Sequence, residues 1–233
     1  MKFTSPLIPG KLIRRYKRFL ADVELASGEI ITAHCTNSGS MKSCIEEGAD
    51  VYLSPANDPK RKTRYTWEMI RIGGKWVGIN TSVPNLLAYE AINNQQIIGL
   101  KGYTEVRREV KYGNSRIDIY AANEKEQCFI EVKNVTLKEG RFARFPDAVT
   151  TRGKKHLETL MEIKAAGMRA VMLYVIQRMD VELFAPAWNI DPEYAETLVR
   201  AFAAGVEVFP VMAEVSPEKI DIVRILPFDL GRG

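Results

Sequence analysis

The first third of the chain alternates apolar and polar residues with the period of a β-strand. Successive side chains of a strand point to opposite faces, so this spacing predicts half-buried strands. The alternating or β-rich runs cover residues 20–25, 29–34, 50–53, 63–72 and 75–79. No helical pattern interrupts these five runs, which favours a small closed barrel. The oligonucleotide-binding (OB) fold is the leading candidate, although an SH3-like barrel would have a similar pattern.

The pattern changes after a break at residues 81–85, and the remainder predicts a mixed α/β domain. Helices are expected over 86–98, over 151–167 and from Asp191–Pro192 to Gly205, with strands at 105–110, 116–121, 128–135, 169–177, 206–211 and 220–226. A helix, a hairpin-rich sheet and a helix–strand–helix–strand succession are typical of an α/β sandwich. We therefore predict a five-stranded OB-fold-like barrel over residues 1–82 and an α/β domain over residues 83–233.

Charge is unevenly divided between these two parts. The net charge of the chain is +4, but residues 1–80 hold 13 lysine and arginine residues against 8 acidic residues, a net charge of +5. The remaining residues carry a net charge of −1. The basic excess therefore belongs to the barrel, where it suits a polyanion such as nucleic acid.

Cysteine and histidine are too few and too scattered for a structural zinc site. The 3 cysteines and 2 histidines form no CxxC or HxxxH spacing, and an odd cysteine set argues for a reducing compartment. Neither a signal-peptide pattern nor an apolar run long enough to span a bilayer is apparent. These features predict a cytoplasmic protein without a membrane partner, and any bound metal should be a hard cation held by carboxylates.

An acidic hairpin carries the clearest chemical signal. Folding the chain about the turn at residues 123–126 places Asp118 opposite Glu131 and Arg116 opposite Lys133. Opposed like charges destabilise a sheet, so a cation is expected beside the two acids, either the neighbouring basic side chains or a bound metal. The alternative is a solvated charge network on the outer face of an antiparallel sheet.

The chemistry of phosphodiester hydrolysis explains why two acids and a lysine would stand together. A divalent ion polarises the phosphoryl oxygen and lowers the pKa of the attacking water, and Mg²⁺ is typically held by one or two carboxylates. A neighbouring lysine can orient that water or stabilise developing charge. A further acid, Glu90, falls on the apolar stripe of the first predicted helix, where it should either extend its carboxylate to solvent or face a cation.

An aspartate, then Glu-x-Lys on the next strand, preceded by a helical glutamate, resembles the PD-(D/E)xK nuclease superfamily. Longer segments resemble the sugar fermentation stimulation protein A family over essentially the whole chain; they lie at residues 33–41, 131–137, 145–157 and 176–178. This resemblance implies an OB barrel, a PD-(D/E)xK nuclease-like domain, DNA binding and a proposed regulatory role in sugar (maltose) metabolism.

Carried over by position, the resemblance gives Asp118, Glu131 and Lys133 as catalytic residues. Together with the helical Glu90, the two acids would bind Mg²⁺ or Mn²⁺. Two departures from the family pattern are visible. Ile117 replaces the proline that names the superfamily motif, and residues 36 and 38 are Thr and Ser where relatives usually show Pro and Thr.

Basic and small polar residues suggest a nucleic-acid surface. Such clusters neutralise phosphates, while an aromatic ring can stack on a base. The predicted contacts are Arg14, Arg15, Tyr16, Lys17, Arg18, Asn37, Ser38, Gly39, Lys42, Arg61, Arg64, Arg116, Arg152 and Lys154, with His156 and Gln177 as accessory residues. The structural alternatives are an edge strand blunted by charge, an ordinary turn, an exposed helix histidine and a polar strand end.

Three functions are compatible with these features. The leading hypothesis is a DNA-binding protein with metal-dependent nuclease activity, acting on double-stranded DNA with little sequence specificity because no helix-turn-helix stands out. The second is a non-catalytic DNA-binding regulator that uses a nuclease-like scaffold. A small-ligand or RNA-processing protein is a more remote third hypothesis.

Overall fold

The N-terminal part of the protein is a β-barrel, as predicted. The computed structural model describes residues 1–56, 58 and 60–232. The strands are β1 (Ile8–Tyr16), β2 (Leu20–Leu25), β3 (Ile30–His34), β4 (Asp50–Pro55), β5 (Tyr65–Ile72) and β6 (Lys75–Gly78). They follow the order β3-β2-β1-β4-β5-β6, and a short parallel pairing of β3 with β5 closes the barrel.

The closed barrel is formed by β1 to β5, whereas the five predicted runs correspond to β2 to β6. β1, which was not among the runs, pairs with β2 along its length and with β4 over residues 8–11. β6 pairs with β5 and lies beside the closed barrel. β1 escapes pattern analysis because Pro9 and Gly10 open it and a basic cluster ends it, so that Leu12 is its one fully buried side chain.

The C-terminal part is the predicted α/β domain, built on a six-stranded sheet of order β15-β14-β12-β9-β8-β7. Its parallel centre, β9-β12-β14, is flanked by antiparallel strands on both sides. The elements of the sheet and its helices are α1 (Val83–Asn93), β7 (Glu105–Tyr112), β8 (Ser115–Ala122), β9 (Gln127–Val135), α2 (Thr151–Ala165), β12 (Arg169–Ile176), α3 (Pro192–Ala203), β14 (Glu207–Val215) and β15 (Ile220–Ile225).

A smaller sheet, which the sequence pattern did not predict, lies at the end of this domain. Its strands are β10 (Leu137–Glu139), β11 (Phe142–Phe145) and β13 (Leu183–Pro186). They hold only three or four residues each, too few for an alternation to emerge. Among the described residues, no helix combines the length and the apolar character that crossing a membrane requires.

Helices cover both faces of the main sheet. α2 and α3 pack on one face, where Leu157 and Leu198 join the apolar core, and α1 packs on the other through Leu87 and Ile92. α2 begins at a capped terminus: the Thr150 hydroxyl accepts a hydrogen bond from the Gly153 N–H at 3.0 Å. This fixed start determines which side chains of the first two turns face the sheet.

The barrel packs directly against the α/β domain through the end of β12. The buried Arg178 guanidinium donates to the Thr136 carbonyl at 2.7 Å and to Ser43 Oγ of the barrel at 3.1 Å. The Gly78 N–H of β6 donates to the Gln177 carbonyl at 2.9 Å. These hydrogen bonds join the two parts of the chain directly and fix their relative position.

Candidate active site

The two acids of the hairpin lie where its strands separate. β8 and β9 pair in the predicted register, from Ala122 opposite Gln127 to Ile119 opposite Ile130. The ladder ends there, one position before Asp118 and Glu131 would face each other. In place of a backbone partner, the Val132 N–H donates to Asp118 Oδ2 at 2.8 Å.

The alternation of β8 also breaks at Asp118. Ile117 packs in the core under α2, whereas Ile119, two positions along, packs in the core under α1. On the neighbouring strand, Glu109 occupies the register position opposite Asp118 with a φ of +56°, and the two do not pair. This irregularity turns the Asp118 side chain towards α1, where Asn85 Nδ2 donates to its Oδ1 at 2.8 Å.

Arg116 does not lie opposite Lys133, in contrast to the prediction. The strands have separated before this position, so Arg116 pairs only with Lys111 of β7. Its exposed guanidinium lies 3.7 Å from a carboxylate oxygen of Glu109. Arg116 therefore does not offset the charge of the two acids.

Asp118 is held in an environment that favours a proton or another cation. Burial, together with the charge of the nearby Glu131, raises the pKa of Asp118 from 3.8 to about 6. Hydrogen bonds from Val132 and Asn85 act in the opposite direction without cancelling this shift. The two carboxylates carry negative charge that a divalent ion would neutralise.

Glu131 is almost completely buried, with an exposure of 1%, and its two oxygens have unlike surroundings. Oε1 accepts from Lys133 Nζ at 2.7 Å and from His156 Nδ1. Oε2 has no hydrogen-bond partner among the described residues. Burial raises the pKa of Glu131, but the bonds from His156 and Lys133 outweigh it and hold the pKa below its usual value.

His156 contributes from the second turn of α2 and is buried, so the alternative of an exposed helix histidine is wrong. Arg152 Nε donates to His156 Nε2 at 3.3 Å. Since Nε2 accepts this bond, the proton of a neutral ring lies on Nδ1 and points to Glu131 Oε1. The sequence carried the signal: the position of His156 lies on the helical stripe of Leu157, Leu160 and Ile163.

The structure does not bring Glu90 to the two acids. Its Oε2 lies 3.5 Å from the amino nitrogen of Met1, and 38% of its side chain is exposed. Among the described residues, no three acidic, cysteine or histidine side chains form a group that could hold a metal. The residue of α1 that reaches the site is Asn85, which the sequence analysis missed; its signal is a polar residue in the first turn of that helix.

The side chains of Arg14 and Arg15 form hydrogen bonds with other residues of the barrel. Arg14 Nε donates to Asp22 at 2.9 Å, and its guanidinium lies over the Tyr16 ring at 5.0 Å. Arg15 donates to the carbonyls of Asn37 and Gly39 at 2.9 and 3.1 Å, and so supports the loop that contains them.

Other predicted contacts face solvent. Lys17 and Arg18 form the exposed β1–β2 turn with positive φ values, and Ser38, Lys42, Arg64 and Arg152 are also exposed. Arg61 donates to Thr66 Oγ1 at 3.2 Å, and Lys154 pairs with Glu193 at 2.9 Å.

The Asn37–Gly39 loop and Gln177 lie at the junction between barrel and α/β domain. Asn37 Oδ1 accepts from the Gly39 N–H at 2.9 Å, and any side chain at Gly39 would collide with the Asp147 carboxylate. Gln177 is fully buried and donates to Asn134 Oδ1 at 2.8 Å. Gln177 thus supports β9 at Asn134, the residue after Lys133.

Comparisons with known proteins agree with this architecture. Residues 13–79 match the model of the SfsA N-terminal OB domain, and residues 82–219 match that of the sugar fermentation stimulation protein RE domain. A sugar fermentation stimulation protein homolog of Geotalea uraniireducens is 54% identical over 223 residues, 95% of this chain and 96% of the relative. A homolog of Geobacter sulfurreducens is 51% identical over 99% of this chain and 100% of its own length.

A solved structure shares the complete fold. It is SfsA of Pyrococcus furiosus in complex with Ca²⁺, which is 30% identical, covers 98% of each chain and superimposes with a TM-score of 0.88. Both domain models and relatives at about half identity span nearly the whole sequence. The chain therefore belongs to the sugar fermentation stimulation protein family.

Proposed function

We propose that this protein binds DNA and hydrolyses phosphodiester bonds with Mg²⁺ or Mn²⁺ held by Asp118 and Glu131. The observation that carries the proposal is the buried Glu131 Oε2, which has no partner among the described residues and lies beside a second carboxylate of raised pKa. A buried, unpaired carboxylate oxygen is costly, and a bound cation would satisfy it.

The donor set suits a hard divalent cation. Two carboxylates and water are ligands that Mg²⁺ accepts, and no thiolate or second imidazole points to a softer metal. The solved relative from Pyrococcus furiosus was determined in complex with Ca²⁺, a cation of the same hard class. When bound, the ion would polarise a phosphoryl oxygen and lower the pKa of a water molecule.

The surrounding side chains hold the two carboxylates in place. The Val132 N–H and Asn85 Nδ2 each bind one oxygen of Asp118, which fixes the rotation of its carboxylate. His156 and Lys133 bind Glu131 Oε1, so that Oε2 is the oxygen left for a ligand. Positioning of this kind lowers the reorganisation needed when substrate arrives.

Lys133 is the side chain placed to act on the reacting groups. Its ammonium is bound to Glu131 at 2.7 Å, and 14% of the side chain reaches solvent. From there it can orient the attacking water or stabilise charge on the phosphoryl oxygens in the transition state. Its neighbour His156 orients Glu131 and is a positioning residue.

The barrel would bind the DNA backbone. The exposed Lys17, Arg18, Lys42 and Arg64 lie in the part of the chain that carries the basic excess. Contacts of this type recognise phosphate without reading bases, which suits double-stranded DNA with little sequence preference. The three cysteines are buried free thiols, as suits a protein of the reducing cytoplasm.

A cleavage assay tests the proposal. Wild-type protein is incubated with duplex, single-stranded and branched DNA in Mg²⁺ or Mn²⁺, beside Asp118→Asn and a control in EDTA. We expect cleavage by the wild type that needs the metal and falls at least about 100-fold in the variant. Absence of cleavage on every substrate, or equal activity of the variant, would reject catalysis at this site.

A second candidate is a DNA-binding regulator of sugar (maltose) metabolism that does not cleave. The segregated charge of the barrel favours it, because that surface functions without the acidic pair. This candidate predicts binding that survives EDTA and weakens in Lys17→Ala/Arg18→Ala, with a smaller salt dependence. These two residues are better targets than Arg14 and Arg15, whose loss would also disturb Asp22 and the Asn37–Gly39 loop.

A further inference from the structure

A polar cleft of about 370 Å³ opens between the barrel and the α/β domain. On the barrel side, its wall is the Asn37–Gly39 loop. On the other side, the wall consists of the end of β9, the end of β11 and the segment from there to the start of α2, residues 146–150. A pocket of this volume falls in the range of small-molecule sites, about 300–1,000 Å³, and is far too small for a duplex.

The cleft adjoins the acidic site through three separate segments of the chain. Thr81 lines the cleft, and four residues later Asn85 binds Asp118. Asn134 lines the cleft two residues after Val132, whose N–H binds the same carboxylate.

The third segment is the start of α2. Its cap residue Thr150 lines the cleft, and Arg152 and His156 follow on the helix and lead to Glu131. Since these three connections are short, a molecule in the cleft would lie next to a phosphoryl group at the two acids.

The lining carries groups that recognise a nucleobase rather than a phosphate backbone. Its uncharged polar side chains are amides and hydroxyls, Arg144 and Asp147 are its charged side chains, and no lysine is among the described residues that line it. Asn134 is oriented by Gln177, which binds its Oδ1, and among the described residues its amide NH₂ group donates to no acceptor. Amides, hydroxyls and carboxylates bind base edges, whereas surfaces that bind the backbone of a duplex depend on clustered lysine and arginine.

The barrel wall of the cleft is built in advance of binding. Arg15 donates to two carbonyls of the Asn37–Gly39 loop, and Gly39 lies directly against the Asp147 carboxylate of the opposite wall. Opposite, the Arg144 guanidinium stacks over Phe142 at 4.5 Å and donates to the Pro186 carbonyl at 3.0 Å. A rigid polar pocket loses little entropy when it orders a ligand.

We propose that this interdomain cleft binds one unpaired nucleotide next to the scissile phosphodiester. The preferred substrate is then a DNA duplex with a single-stranded end or gap, whose paired part lies on the basic barrel. The inference rests on the proposed function, since it places the cleft beside the bond that would be cleaved. It adds a substrate class that neither the acidic site nor the charge of the barrel specifies.

Binding in EDTA tests the cleft separately from cleavage. The probes are a fluorescently labelled blunt duplex and the same duplex extended by a 3′ or a 5′ single-stranded overhang. Ser38→Trp fills the cleft from an exposed position, and Ser27→Trp, in an exposed turn of the barrel outside the cleft, is the matched control. Asn134→Ala is a second variant that adds no bulk.

We expect the wild type and Ser27→Trp to bind one of the overhang probes at least about tenfold more tightly than the blunt duplex. Ser38→Trp should abolish this difference, and Asn134→Ala should reduce it. Equal binding of all probes by the wild type, or an equal loss on all probes in Ser38→Trp, would overturn the proposal. An intact overhang preference without any cleavage in Mg²⁺ would instead overturn only the nuclease activity.

Discussion

Asp118 accepts a hydrogen bond from the backbone N–H of Val132 at 2.8 Å, at the point where β8 and β9 stop pairing. The Asp118 side chain thus replaces a backbone hydrogen bond between the two strands. The bond ties Asp118 to the residue that follows Glu131, so the two carboxylates stay together although their strands separate. A continuous sheet would have placed the two acids in direct opposition.

The pKa of Asp118 predicts that its charge destabilises the metal-free protein. In the folded protein the pKa of Asp118 is about 6, against the ordinary value of 3.8 expected for the unfolded chain. Between these values the native state binds more protons than the unfolded state, so stability falls as the pH rises from 4 to 6. In EDTA, Asp118→Asn should raise the free energy of unfolding at pH 8 by about 1–2 kcal/mol and leave it nearly unchanged at pH 4.

Urea unfolding at the two pH values measures this difference. Added Mn²⁺ should stabilise the wild type and not the variant, because ligand binding shifts the folding equilibrium only where a site exists. A variant that is less stable than the wild type at pH 8 would show that Asp118 is a structural residue whose charge the fold needs.

His156 should matter for the metal without touching it. His156→Ala removes the hydrogen bond that orients Glu131 Oε1, and loss of such a supporting contact typically weakens metal binding about 10–100-fold. Calorimetric titration with Mn²⁺ gives the affinity. The chain offers one matched control, His34→Ala, since His34 lies on β3 of the barrel. Equal affinity of His156→Ala and the wild type would remove His156 from the account.

Asn85 and Glu90 lie on the same helix but should differ in effect. Asn85→Ala removes a direct contact to Asp118 and should weaken Mn²⁺ binding and cleavage by about tenfold. Glu90→Gln should leave both within about twofold, because Glu90 faces the N-terminus of the chain. The reverse order would restore Glu90 as the helical acid of the site.

The junction between the domains should depend on Asp180. Burial raises the pKa of Asp180, but hydrogen bonds from Arg178 and Lys138 outweigh it and lower the pKa to about 2. The stability from this charge is therefore present above pH 4 and is lost as the pH falls towards 2. Asp180→Asn should cost about 2–4 kcal/mol at pH 7, since Arg178 would remain buried with its charge uncompensated.

Thermal or urea unfolding at pH 7 and at pH 3 provides the comparison. The destabilisation should shrink at pH 3, because the Asp180 carboxylate of the unfolded state, with an ordinary pKa of 3.8, is then largely protonated while the folded state still holds it ionised. Lys138→Ala is a useful reference, because this partly exposed lysine bonds the same carboxylate at 2.8 Å and should cost less. A pH-independent loss in Asp180→Asn would point to packing and not to charge.

The sequence predicted the hairpin register because hairpin pairing is fixed by the turn. Folding about residues 123–126 gives the observed pairs of β8 and β9 without further information. The same rule failed for Arg116, since it assumes a ladder that continues past Asp118. The strand separation depends on contacts from other strands and from α1, which a local pattern does not contain.

Glu90 and His156 show what helical periodicity cannot predict, one by lying away from the site and the other by lying in it. Both lie near the apolar stripe of a helix, and periodicity alone gives the face but not the neighbours on it. The face of α1 at Glu90 borders Met1, whereas that of α2 at His156 covers Glu131. Tertiary packing decided which of the two side chains reached the site.

A manganese-soaked crystal tests most directly whether a cation lies between Asp118 and Glu131. Anomalous diffraction at the manganese edge should reveal one peak within coordination distance of an Asp118 oxygen and of Glu131 Oε2, absent from a crystal of Asp118→Asn treated in the same way. If no manganese peak lies near either carboxylate at saturating Mn²⁺, and Glu131 Oε2 still has no ligand, no cation binds between the two acids.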